Sequence, residues 1–152
     1  MTYDAHGNLA SVKNALGQVT LFSDYDASGR VGRITDPNGL VTAMTYYPRG
    51  WIQSRSITAD GVTETTSYEY DGVGQVKKIT APDGNAIFYT YDDAHRLTDI
   101  ADNNGNTIRY TLDLRGNRVA ELIRDPVGVL SRQISREFDK RNRLMNVTGR
   151  AQ

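Results

Sequence analysis

The stretch "YDASGRVGRITDPNGLVT", Tyr25–Thr42, decides the fold. A near copy, "YDAHGNLASVKNALGQVT", begins at Tyr3. The theme aromatic-Asp-x-x-Gly returns at Tyr3, Tyr25, Tyr46, Tyr70, Tyr91, Leu112 and Phe138. The steps between copies are 22, 21, 24, 21, 21 and 26 residues. A period of this size marks a repeat protein, in which one short unit is stacked on its neighbours.

Each copy carries two turn signals. Gly7 and Gly17 are 10 residues apart, as are Gly29 and Gly39, and Gly74 and Gly84. Gly50 and Gly61 are 11 apart, and Gly116 and Gly128 are 12 apart. Turns at this spacing predict short antiparallel strands. In "YDxxG" the Asp side chain can accept a backbone N–H two residues on, and the Gly supplies a positive φ. In "DPNG" the Pro presets φ at the first turn position, and Asn-Gly tolerates left-handed backbone. The residues assigned to turns are Asp4, Gly7, Asp26, Gly29, Asp36, Gly39, Asp71, Gly74, Asp92, Asp113, Gly116, Asp125 and Gly128. His95 and Asn142 stand where the glycine is expected, which predicts a different or strained turn at those two copies.

The segments between turns read as strands. Ile87, Tyr89 and Tyr91 alternate with Phe88 and Thr90, and Ile108, Tyr110 and Leu112 with Arg109 and Thr111. Val31/Ile34, Val76/Ile79, Leu97/Ile100 and Leu144/Val147 are spaced by three instead. These segments are too short for stable helices, so a bulge or burial on both faces is the reading. The fold class is therefore all-β. Tandem antiparallel hairpins of about 21 residues form a continuous sheet, in a single array of about seven units over residues 1–152 that is incomplete at both ends.

Composition narrows the chemistry. Lys plus Arg and Asp plus Glu are 18 each, so no net field attracts nucleic acid or an anionic membrane. Cysteine is absent, which removes disulfides, thiolate catalysis and Cys-based zinc sites. No apolar run is long enough to insert in a membrane, and "MTYDAHGN" lacks the pattern of a secretory signal. His6 and His95 follow Asp residues in polar turns and are read as solvated. "GVGQVKK" (Gly72–Lys78) fails the dinucleotide fingerprint. "DNNGN" (Asp102–Asn106) starts like a calcium loop but lacks the bidentate Glu, so it is read as a hairpin turn. "NVT" (Asn146–Thr148) has the letters of a glycosylation sequon. Arg132, Arg136, Lys140, Arg141, Arg143 and Arg150 form a basic segment interrupted by Glu137 and Asp139, read as a solvated strand face. The expectation is a non-enzyme without metal or cofactor.

The signals "YDASGR", "YDAHGN" and "RITDPNG" resemble the YD repeats of the RHS family, from Tyr3 to about Val147. "YYPRGWI" lacks the Asp, Leu112 and Phe138 replace the Tyr, and "RDPVGVLSRQISREFD" is longer than the usual unit. The resemblance implies a strand ribbon that curves or spirals into a hollow shell. Such shells enclose or display a C-terminal toxin or other cargo domain. It implies a segment of a larger bacterial protein that is secreted or on the cell surface. The partners implied are other segments of the same shell, or identical chains through sheet edges, and a toxin cargo domain. The family's cleavage region uses a D-P-x-G-L type motif. "DPNGL" at Asp36 has these letters and "DPVGVL" at Asp125 nearly does, yet both sit where repeat turns are due. The alternative function is a module that binds carbohydrate or a cell surface through Tyr68, Tyr70, Tyr89 and Tyr91, since aromatic rings stack on sugars. Burial of these rings is the competing reading.

Overall fold

A computed structural model describes residues 1–151. Gln152 lies outside the described residues, as does the side chain of Arg150. The chain divides into two compact units, Met1–Tyr68 and Glu69–Gln152. The first holds β1 (Thr2–Tyr3), β2 (Leu9–Lys13), β3 (Val19–Ser23), β4 (Arg33–Thr35), β5 (Val41–Tyr46) and β6 (Ile52–Ala59). Strand β7 (Val62–Tyr70) carries the chain across the boundary. The second holds β8 (Val76–Thr80), β9 (Ala86–Tyr91), β10 (Leu97–Asp102), β11 (Thr107–Leu112), β12 (Arg118–Arg124), β13 (Leu130–Phe138) and β14 (Leu144–Ala151). There is no helix among the described residues, and hence none long and apolar enough to cross a membrane.

Within each unit the strands form an antiparallel meander in chain order. Two strands per copy, joined by short turns, is what turn signals every 10 to 12 residues demand. The long copies lengthen strands, not loops. The 24-residue step is absorbed by the 8 residues of β6 and 9 of β7, joined by a two-residue turn at Asp60–Gly61. Both turn residues have positive φ (50° and 79°), as this tight hairpin requires.

The spacing of three has a geometric cause. Leu97 faces Tyr91, but Asp99 faces Thr90, so Thr98 is an extra residue. Ile100 then faces Tyr89. Tyr89 and Tyr91 share a face, and therefore so do Leu97 and Ile100. Leu144 faces Phe138 and Val147 faces Arg136 after the same slip, with Met145 extra. Equivalent slips occur at Thr2/Tyr3, Thr45/Tyr46 and Thr111/Leu112, each one step past a YD turn. Val31 is different, because it lies outside β4. There Asp24 takes φ 56° and diverts the chain, and Gly32 passes against its carbonyl.

Among the described residues, strands touch only their sequence neighbours, and Ala86 is the single buried apolar residue. The faces nevertheless differ in character. In the second unit Tyr89, Ile100, Ile108 and Ile123 are paired in one row, while Thr90, Asp99, Arg109 and Leu122 form the row behind it. Asp99 and Arg109 join across that row at 2.6 Å. In the first unit Phe22 and Ile34 share a face with Thr42 and Ile57. The opposite face carries cross-strand hydroxyl pairs: Thr45–Ser54 at 2.7 Å, Ser56–Thr65 at 2.8 Å and Thr58–Thr63 at 2.8 Å. Such pairs contribute a few tenths of a kcal/mol each, up to about 1.

Candidate functional site

The repeated chemistry lies in the turns. Each is five residues long, and we number its positions 1 to 5. In Asp4–Asn8, the N–H of position 1 donates to the carbonyl of position 5 at 2.8 Å. The N–H of position 4, Gly7, donates to the carbonyl of position 1 at 3.1 Å. Asp4 Oδ1 accepts the N–H groups of His6 (2.9 Å) and Asn8 (2.8 Å). The second of these bonds, to position 5, extends the two-residue reach read from the sequence. Position 4 has φ 84°.

The same pattern recurs with Asp26, Asp36, Asp71, Asp92, Asp113 and Asp125 at position 1. Asn14, Asp102 and Asp139 do likewise and were not among the residues assigned from sequence. An Asx residue four before a turn-ending residue was the signal available for them. Gly29, Gly39, Gly74, Gly116 and Gly128 hold positive φ at position 4. In "DPNG" only Gly39 is left-handed, and Asn38 is not. Tyr47 and Ala81 keep the backbone bonds of position 1 with no carboxylate. Contrary to expectation, His95 and Asn142 do not alter the turn. They take φ 62° and 66° and make the same position-4 bond, at 2.8 and 2.9 Å.

These carboxylates are held ionised. The Asn8, Asn106 and Asn117 side-chain amides draw the Asp4, Asp102 and Asp113 carboxyls below the ordinary carboxylate value, and the Arg96 side chain does so for Asp92. The backbone N–H of position 5 leads for Asp26 and Asp139. At Asp71 partial desolvation opposes the shift, but N–H groups from Gln75 and Val73 outweigh it. A folded value below the unfolded one means stability that is present above about pH 4 and is lost as pH falls through the lowered folded values. Urea midpoints followed by circular dichroism at pH 7, 5 and 3 are expected to hold between the first two and fall at the third. An unchanged midpoint at pH 3 would remove the carboxylates from the account.

Tyrosine hydroxyls tie copies together. Tyr25, Tyr46 and Tyr91 donate to the carbonyls of Leu9, Val31 and Val76 at 2.8, 2.9 and 2.9 Å. Each acceptor is the apolar residue just after the preceding YD turn. Leu112 and Phe138 have no hydroxyl for this bond. Tyr68, Tyr70, Tyr89 and Tyr91 are all half-buried, neither core nor fully open. Tyr89 and Tyr91 lie on one face of β9, and Tyr68 and Tyr70 on one face of β7.

Other candidates resolve into structure. A hollow of about 670 Å³ between the first two YD turns is lined by Asp4, His6, Asp24, Asp26 and Gly29. The Asp4 and Asp26 carboxylates there already accept turn N–H groups. Asp102 likewise accepts from Asn104, Asn106 and the Asn106 amide. In the basic segment Arg136 pairs with Glu121 at 3.5 Å and Arg143 with Asp139 at 2.7 Å.

The family model of the RHS repeat matches residues 3–41, 25–63, 46–86 and 91–130. No curated relative matches the chain. Among solved structures, the crystal structure of TcdB2-TccC3-TEV superposes with a TM-score of 0.68 at 17% identity, over 90% of this chain and 9% of that one. TcdB2-TccC3-Cdc42 gives 0.64 at 20% identity, over 79% and 7%. A Photorhabdus luminescens Tc holotoxin pore with a mutated TccC3 gives 0.59 at 18% identity, over 97% and 12%. At these identities the likeness is one of fold. The chain spans only 7–12% of the length of these chains.

Proposed function

This chain belongs to the RHS repeat family, and we propose that it is a non-catalytic segment of a β-shell wall. In this reading it is part of a larger, secreted or surface-exposed bacterial protein. The wall it contributes to encloses or displays a toxin or other cargo domain. The single observation that carries the reading is the use of the turn carboxylates. Ten turns place an Asx side chain at position 1, and each binds backbone N–H groups of its own turn. The recurrent polar chemistry holds backbone in shape. The structural neighbours, which include a holotoxin pore and complexes of TcdB2 with TccC3, support a place in such an assembly.

A wall segment has sheet edges that pair with more wall. Strand β1 pairs only with β2, and β14 only with β13, among the described residues. Unpaired edges recruit further strands. Size-exclusion chromatography with light scattering is therefore expected to show a discrete oligomer that dissociates on dilution. A monomer at every concentration would overturn the wall reading and favour a self-contained module binding through its tyrosine faces.

A further inference from the structure

The YD turns are read in order, each by the one before it. Position 5 of a turn reaches position 4 of the turn one copy later. Arg30 lies so close to Gly50 that a β-carbon there would sit 2.7 Å from its Nη1. Arg96 Nη1 donates to the Asp113 carbonyl at 3.1 Å, and its Cδ would be 3.9 Å from a β-carbon on Gly116. Gln75 instead donates to the His95 carbonyl at 2.8 Å and meets His95 Nδ1 at 3.0 Å. Asn117 bonds the side chain of Asn142.

These pairs follow a rule. An arginine at position 5 faces a glycine, because its guanidinium fills the space a side chain would need. A carboxamide faces His95 or Asn142, which gives it a polar partner. This explains why two left-handed positions are not glycine: each exchanges conformational ease for a hydrogen bond to the previous copy. Asn8 facing Gly29 satisfies neither half of the rule, and the 670 Å³ hollow lies there.

Arg143 is a reader whose target lies outside the row. It holds its own Asp139 as Arg30 and Arg96 hold Asp26 and Asp92, with Nε to Oδ2 at 2.8 Å. Its side chain is 70% exposed, against 28% for Arg30 and 37% for Arg96. At the other end of the row, Gly7 stands in a turn with no preceding copy to read it, and a β-carbon there would meet nothing within 4 Å. We propose that Arg143 of one chain packs on the Asp4–Asn8 turn of a second copy, an arginine facing the glycine at position 4. This head-to-tail contact rests on the wall reading and gives the edge pairing its direction.

The test exchanges one half of the rule for the other. Arg143→Asn and Gly7→Asn each break the arginine–glycine match, and together they recreate the Asn117–Asn142 pair. Each single change is expected to weaken self-association about tenfold by sedimentation equilibrium. The double variant is expected to return within about threefold of the wild type. Circular dichroism checks each fold. If Gly7→Asn fails to fold, Arg143→Asn with Arg143→Ala carries the test on an exposed side chain. Wild-type association that neither single change alters overturns this contact and leaves the wall reading standing, as does a double variant as weak as the two singles combined. A wild type that never associates overturns both.

Discussion

Replacing Gly32 with alanine is expected to destabilise the first unit by at least about 3 kcal/mol, at or beyond the top of the range for overpacking. The φ of Gly32 is not the reason, since it lies outside the left-handed region. The reason is distance. A β-carbon would stand 2.2 Å from the Asp24 carbonyl oxygen and 3.2 Å from its carbon. These are backbone atoms, so no side-chain rotation relieves the clash. The Asp24 carbonyl is fixed by a residue already at φ 56°, and the Gly32 carbonyl accepts the Met44 N–H at 2.7 Å. Alanine must break one of these arrangements. Gly72→Ala is the control, because a β-carbon there meets nothing within 4 Å and its φ is likewise not left-handed. Denaturant midpoints should fall sharply for the first variant and shift little for the second. Equal midpoints would show that Asp24 and Gly32 do not approach in solution.

Tyr46→Ala is expected to cost about 2–3 kcal/mol, and Tyr46→Phe about 1. The hydroxyl bond to Val31 accounts for the smaller figure. The remainder belongs to the ring, which packs half-buried beneath the Arg30 guanidinium, 5.1 Å from its centroid. The alanine value sits below that of a core aromatic because this ring has no second layer over it. Denaturant titration of both variants separates the two contributions. Equal losses would assign the whole effect to the hydroxyl, and no loss from phenylalanine would remove the hydroxyl from the link between copies.

Strands and turns were legible because their causes are local. Asp or Asn at position 1 and glycine at position 4 act within five residues, and the chain shows them as letters. The three-residue spacing of Leu97 and Ile100 was legible as an anomaly. Its cause, the extra Thr98, needed the register. His95 and Asn142 misled, because their partners Gln75 and Asn117 lie 20 and 25 residues away. A residue that is costly in its own turn is useful to another, and no local rule reveals the second. The destinations of the tyrosine hydroxyls, 15 or 16 residues back, were hidden for the same reason. Gly32 gave no warning, since a close approach to Asp24 leaves no mark beyond the glycine itself.

Ala86 is the only buried apolar residue among those described, and strands touch only their sequence neighbours. Cooperativity in such a chain has a short range. Each added copy contributes its own free energy and one interface, whatever the total number. Amide protons should then exchange in a gradient, fastest at the terminal strands, in place of one global opening. Length is thus a quantity that gene duplication can change without redesign of the remaining copies. The size of an enclosure built this way can follow the size of what it holds.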